Sequence, residues 1–241
     1  MRSRQILLLG LLLLVPVLAF LFLYGFGRNH YALPTYLPER ADSVRTPAGG
    51  WQRDTVFHRV QSFVLLAASH HPVSSVAITR DVCVVQVLAG EPIYGHAVGV
   101  ALLGADAQVS HEMMRLQEKF RREPRVRLVT LVPSPKKADS DYQLQSLNEQ
   151  FGTISGKWFV LAAAPVTVDS LARYEFGLLD LQPTRLPFRP GTNSGNLPPG
   201  RLLLLDRDQH VRGYYDGTDI HELERLITEI NVLLYTYDDR H

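Results

Sequence analysis

Two predominantly apolar runs constrain this 241-residue chain more than any other feature. "DVCVVQVL", from Asp81, and "VRLVTLV", Val126 to Val132, are rich in β-branched residues and show no apolar/polar alternation. That is the pattern of strands covered on both faces, and it calls for a sheet held between two layers. Between the runs lies "SHEMMRLQEKFRRE", where Met113, Leu116 and Phe120 fall on one helical face, Ser110 suits the N-cap and Glu112 the first turn. After the second run and its "PSP" stop, "SDYQLQSLNEQFG" repeats the device with Leu144, Leu147 and Phe151, and Gly152 is placed to cap it. "KWFVLA" follows as a third strand and "TVDSLARYEFGL" as a short helix. "RLLLLDRDQHVRGYYDGTD" reads as a hairpin around Asp206–Gln209, although it lacks the usual Asn-Gly or Asp-Gly pair. "TDIHELERLITEINVLL" closes the domain as a helix. Asp219 and Glu222 have capping-box spacing there, and Ile220, Leu223, Ile227, Ile230 and Leu234 form its inward face. Strands alternating with helices from Thr55 to Leu234 indicate an α/β layer fold with a partly parallel sheet.

The N-terminus has a different character. Ile6 to Phe26 is uncharged, and as a helix it extends about 32 Å, enough to span a bilayer. No small-x-small cleavage site follows it, so an uncleaved anchor is expected rather than a signal peptide. Pro16 is tolerable inside such a helix. Arg2 and Arg4 precede the span and only Arg28 follows closely, which places the N-terminus in the cytoplasm and the bulk of the chain in the periplasm. The expected organisation is an anchor over 1–28, a flexible tether over 29–54, a domain over 55–235 and a tail over 236–241. The tether, rich in Pro, Gly and charge, shows no sustained period.

Charge and cysteine content remove several functions. With 25 Lys+Arg against 24 Asp+Glu, nothing favours a phosphate backbone, so nucleic acid is not an expected partner. Cys83 is the only cysteine. It excludes an intramolecular disulfide, a Cys-x-x-Cys pair and any multi-thiolate metal cage. Near the start of a central strand, Cys83 should face the same way as Val85 and Val87, the usual burial of a small apolar side chain. No Gly-rich phosphate loop, G-x-S-x-G elbow or H-E-x-x-H motif is present.

The wording and order of several segments resemble the Sco/SenC family: "EMMRLQEKFRREPRVRLVTLVPSP", "NEQFGTISGKWFVL" and "LLLLDRDQHVRGYYDGTD". Upstream, "HRVQSFVLLAASHHPVSS" is similar to that family's N-terminal hairpin, and "DVCVVQVLAG" occupies its first central strand. The resemblance implies a thioredoxin-like fold, a central mixed sheet flanked by helices, behind one transmembrane helix. It also implies a copper chaperone or thiol reductase serving cytochrome c oxidase assembly. In that family a Cys-x-x-x-Cys loop after the first central strand, and a histidine before the last hairpin, hold one copper ion; soft thiolates select Cu(I) and imidazole accommodates Cu(II).

Position by position, those ligands are absent here. After Val82–Ala89 the chain reads "GEPIYGHAVGVALLGADAQVSHEMM", with no cysteine and an apolar centre able to form an extra strand. The family's histidine falls at about Pro198, and no histidine lies between Phe188 and Gln209. The family's Asp-Pro after the second strand is Ser134-Pro135. His96 and Asp106 in the altered loop, with His111 at the start of the next helix, form one replacement ligand set for Zn²⁺ or Cu²⁺ if they converge. His58, His210 and His221 read as ordinary surface residues, and His70-His71 as part of a hairpin turn. The expected protein is therefore a membrane-anchored interaction factor without catalytic activity and with no bound cofactor. It would meet oxidase subunits or a Cys-containing Sco paralogue through loop Gly90–Gln108. The alternative is a metal carrier using His96, Asp106 and His111, and a single thiol acting with an external resolving thiol ranks behind both.

Overall fold

The computed structural model describes residues 12–22, 33–45, 49–68, 71–89, 93–95, 99–102, 104–134, 137–178 and 197–238. The chain divides into two compact units, Met1–Ala32 and Leu33–His241. In the first, residues 12–22 form helix α1 with every side chain exposed. The rest of the apolar stretch 6–26 lies outside the described residues. No helix among the described residues is long and apolar enough to cross a membrane.

The second unit begins with a two-stranded antiparallel ribbon, β1 (Pro38–Arg45) and β2 (Trp51–Phe57). Then come β3 (Val64–Leu66), β4 (Pro72–Ser74), α2 (Ser75–Ile78) and β5 (Val82–Val87). A second small ribbon, β6 (Ile93–Gly95) and β7 (Gly99–Ala101), precedes α3 (Gly104–Lys119), β8 (Val126–Pro133), α4 (Lys137–Phe151) and β9 (Trp158–Ala163). The chain continues through α5 (Pro165–Ser170), which widens into a π turn at Leu171–Glu175, then β10 (Arg201–Leu205), β11 (Val211–Asp216) and α6 (Ile220–Asp238). The central sheet has the order β11-β10-β5-β8-β9-β3-β4. Its middle strands β5, β8 and β9 are parallel, while β10 and β3 run antiparallel to them on either side.

The apolar runs become strands because each face has its own cover. One face sends Val82, Val84, Leu128, Val160, Leu202 and Leu204 against Met113 and Leu116 of α3, Leu144 and Leu147 of α4, and Leu226 and Ile230 of α6. The other sends Cys83, Val85, Val87, Val129, Leu131 and Leu203 against Val168, Leu171, Phe176 and Leu37. Successive side chains on a strand point to opposite faces, so a strand sandwiched this way needs apolar side chains on both, and its buried polar members Gln86 and Thr130 bond each other.

Local rules hold in detail at several ends. Gly152 takes φ +57° and ends α4 as expected, and the N–H of Thr153 reaches back to the Asn148 carbonyl at 3.1 Å, a left-handed cap that glycine makes inexpensive. The Asp206 carboxylate organises the β10–β11 turn by accepting the N–H groups of Asp208 and His210 at 2.8 and 2.9 Å. Gln209 adopts φ +67°, the conformation a glycine would have supplied. Asp219 caps α6 through the N–H of His221 at 2.9 Å. Glu222 pairs with Arg225 at 2.5 Å, so only the Asp219 half of the capping box forms this way. The inward face of α6 is Leu223, Leu226, Ile230, Leu233, Leu234 and Tyr237. Ile220, expected to face inward, is 47% exposed because the helix begins there, off the sheet.

Three expectations require correction. The tether does not run to 54: Leu33 and Leu37 are buried, the Tyr36 N–H bonds the Val211 carbonyl of edge strand β11, and Arg212 holds the Thr35 hydroxyl at 2.6 Å. The domain therefore starts at Leu33 rather than Thr55. Leu37 is held at φ +61°, a strain of roughly 1–2 kcal/mol for a side-chain-bearing residue. Complete burial of its side chain offsets that by about as much. Gly177 makes room, since a Cβ there would lie 2.6 Å from Leu37 Cδ2. The second correction concerns α3, which starts at Gly104 rather than after Ser110; Asp106 lies in its first turn. The third is His58. It is buried, with Nδ1 2.8 Å from Glu39 and Nε2 3.3 Å from Glu175, and so roots the β1–β2 ribbon.

Candidate functional site

At the carboxyl end of the parallel strands, β5 gives way to Leu88-Ala89. Three segments meet there: the end of β5, the first turn of α3, and the turn before β10. The Asp106 carboxylate joins them. Its Oδ2 accepts the Ala89 N–H at 3.0 Å and its Oδ1 the Gly200 N–H at 3.3 Å. Asp106 is buried, so these charge-assisted bonds satisfy a carboxylate that otherwise would not stay in place.

A polar chain beneath the junction fixes α3 over β5. Trp158 donates its indole N–H to Thr130 Oγ1 at 3.0 Å, Thr130 donates to Gln86 Oε1 at 3.2 Å, and Gln86 Nε2 donates to Ser110 Oγ at 3.0 Å. The Ser110 hydroxyl bonds the Asp106 carbonyl at 2.8 Å. Ser110 is thus an interior helix residue that bonds back one turn. Close packing completes the junction. Gly200 has φ +76°, and a Cβ on Gly217 would sit 2.7 Å from Val109 Cγ2. The Gly217 N–H bonds the Gly200 carbonyl at 2.9 Å.

The expected replacement ligands are not brought together among the described residues. His96 lies outside them. Asp106 points inward and is committed to backbone N–H groups, whereas His111 is exposed farther along the same helix. Five residues rotate an α-helix by about 140° relative to the first position. Pro198 is half-buried in the turn before β10, and Ser134 donates its N–H to the Ala163 carbonyl.

Cys83 lies at the opposite end of β5, fully buried and paired across the sheet with Leu205 and Arg127. Burial pushes its thiol up to about 12, only partly offset by the Arg127 charge. A thiol kept neutral in this way is neither nucleophile nor metal ligand. Among the described residues Asp206, Asp208 and His210 bring ligand atoms within 4.8 Å of one another. The Asp206 carboxylate already accepts two N–H groups and the Arg212 guanidinium at 2.6 Å. Burial opposes its charge, yet the His210 and Arg212 interactions together hold it below its usual range. This is a turn anchor whose counter-ion is already present.

No family model and no curated protein matches the chain. Solved structures do match. A SCO1/SenC family lipoprotein from Bacillus anthracis superposes with a TM-score of 0.54 at 16% identity, over 73% of this chain and 95% of that one. BsSco, a member of the Sco family of cytochrome c oxidase assembly proteins, gives 0.52 at 14% identity, over 73% and 93%. The domain has the thioredoxin-like fold of the Sco proteins. The expected central mixed sheet, flanking helices and β3–β4 hairpin are all present.

Copper, implied by the resemblance, does not fit the residues at this junction. The sequence places no thiol after β5 and no histidine between Phe188 and Gln209. Asp106, the one carboxylate buried at the junction among the described residues, bonds backbone N–H groups from both segments. Where thiolates and an imidazole would converge on a metal, hydrogen bonds hold the same segments together.

Proposed function

We propose that this chain is a membrane-anchored, extracytoplasmic Sco-like protein acting as a non-catalytic assembly or interaction factor in cytochrome c oxidase biogenesis. The observation that carries this reading is the Asp106 junction, which keeps the scaffold closed at the edge where ligands would otherwise be needed. The Sco-type fold of the domain supports it. The apolar stretch 6–26 serves as the anchor, and Arg2 and Arg4 keep its N-terminal flank in the cytoplasm. The partner surface is the segment 90–103, which carries the β6–β7 ribbon between β5 and α3 in the chain. Residues 104–108 of the expected binding loop belong to α3.

A pull-down of the full chain from native membranes tests the proposal, run beside a variant whose 90–103 segment is replaced by a short Gly-Ser linker. The expected result is co-purification of oxidase subunits or of a Cys-containing Sco protein with the native chain and loss of both with the variant. Recovery of neither, or equal recovery, contradicts it. Protease added to spheroplasts should digest the domain; protection contradicts the periplasmic placement.

A further inference from the structure

The β1–β2 ribbon contributes little to the core. Beyond Pro38 every residue of β1 is exposed, and the middle of the strand carries charge, with Arg40 and Asp42 3.9 Å apart. Apolar surface is concentrated at the tip, where Trp51 is 75% exposed and Val44 50%. Arg45 pairs with Trp51 across the ribbon, and Val44 pairs with Gln52. Neighbouring positions on a strand face opposite ways, so the two apolar side chains emerge on opposite faces of one tip. The base is firmly rooted: the His58 N–H bonds the Leu37 carbonyl at 2.8 Å, and the His58 ring lies between Glu39 and Glu175.

A protein laid along the ribbon would meet a charged strand, whereas apolar side chains confined to an end, on both faces, suit end-on insertion into an interface. Tryptophan belongs at the boundary of hydrocarbon and headgroup, and an adjacent arginine can keep its charge among lipid phosphates while its stem lies in apolar surroundings. Chain length permits the contact. Only residues 27–32 separate the apolar stretch from Leu33, a reach of at most about 21 Å. The 7-residue strand β2 spans about 23 Å.

We propose that the ribbon tip, through Trp51, Val44 and Arg45, docks into the lipid headgroup layer as a second membrane contact; this rests on the membrane-anchored reading above. The test uses the full chain in vesicles of phosphatidylcholine and phosphatidylglycerol, with and without brominated acyl chains. Trp51 and Trp158 are the only tryptophans, and Trp158 is buried against Phe151 at 5.0 Å, which makes it an internal reference. Bromine should quench part of the emission, and Trp51→Phe should remove that quenching. If the chain floats with the vesicles but Trp51→Phe leaves quenching unchanged, the inference fails and the anchor stands. If the chain does not float, the anchored reading fails and takes this inference with it. Shielding of Trp51 only in native membranes, and not in protein-free vesicles, assigns the tip to a protein partner and overturns the lipid contact.

Discussion

The two ends of β5 are each closed by a buried aspartate, and the two closures differ in kind. At the Cys83 end, Asp206 accepts N–H groups from residues two and four positions ahead in its own hairpin turn. At the Ala89 end, Asp106 bonds Ala89, 17 residues away, and Gly200, 94 residues away. One carboxylate shapes a local turn; the other joins three segments distant in sequence, alongside the β5–β10 pairing and the Gln86–Ser110 bond that also hold them. In the Sco comparison the second end is where metal ligands are expected, and the Asp106 bonds give it a cross-link that requires no metal.

The sharpest way to break the contrast is Asp106→Ala. It strands the buried Gly200 N–H and the part-buried Ala89 N–H, and should cost about 3 kcal/mol in urea unfolding. Asp106→Asn keeps an acceptor and should cost about half of that. A loss below about 0.5 kcal/mol for the alanine variant would mean that the junction is held by packing alone.

Asp206→Asn should cost less, about 2 kcal/mol at neutral pH, because a side-chain oxygen still accepts the turn N–H groups while the Arg212 pair is lost. Its pH dependence carries a definite sign. The folded-state carboxyl titrates below its ordinary value of 3.8. Its stabilisation is therefore complete above that value, where the unfolded carboxyl is ionised, and is lost as pH falls through the lower folded-state value. The native chain should lose stability more steeply on acidification than Asp206→Asn, as read by thermal unfolding across the acid range; parallel profiles would count against the Arg212 pairing.

Cys83→Ala should have the smallest effect, about 1 kcal/mol, the cost of a small buried void. In the native chain the thiol should react with an alkylating reagent only as fast as the domain opens. Rapid labelling under native conditions would show that the Cys83 end of β5 is not sealed.

Much of this contrast was readable from residues. The β5 and β8 runs, the Leu144/Leu147/Phe151 stripe, the Gly152 cap and the inward Cys83 all follow from local pattern, because both faces of the sheet are covered. Asp106 was misplaced because Ser110 resembles an N-cap, and only the fold shows its hydroxyl taken by Gln86 and the Asp106 carbonyl. In sequence the β1–β2 ribbon resembles a tether because a ribbon wet on much of both faces leaves no period-two apolar signal. His58 gave no sign of burial, since Glu39 and Glu175 reach it only through tertiary structure. Its neighbours Thr55, Val56 and Phe57 are only half-buried, so nothing local marks the turn inward.

The most direct test of the central claim is a Cu(I) titration of the full chain against a competing chelator. The account predicts that the chelator retains the metal, because the Ala89 end of β5 is closed by Asp106 and the only thiol is sealed at the other end. Tight binding of one Cu(I) per chain would contradict it.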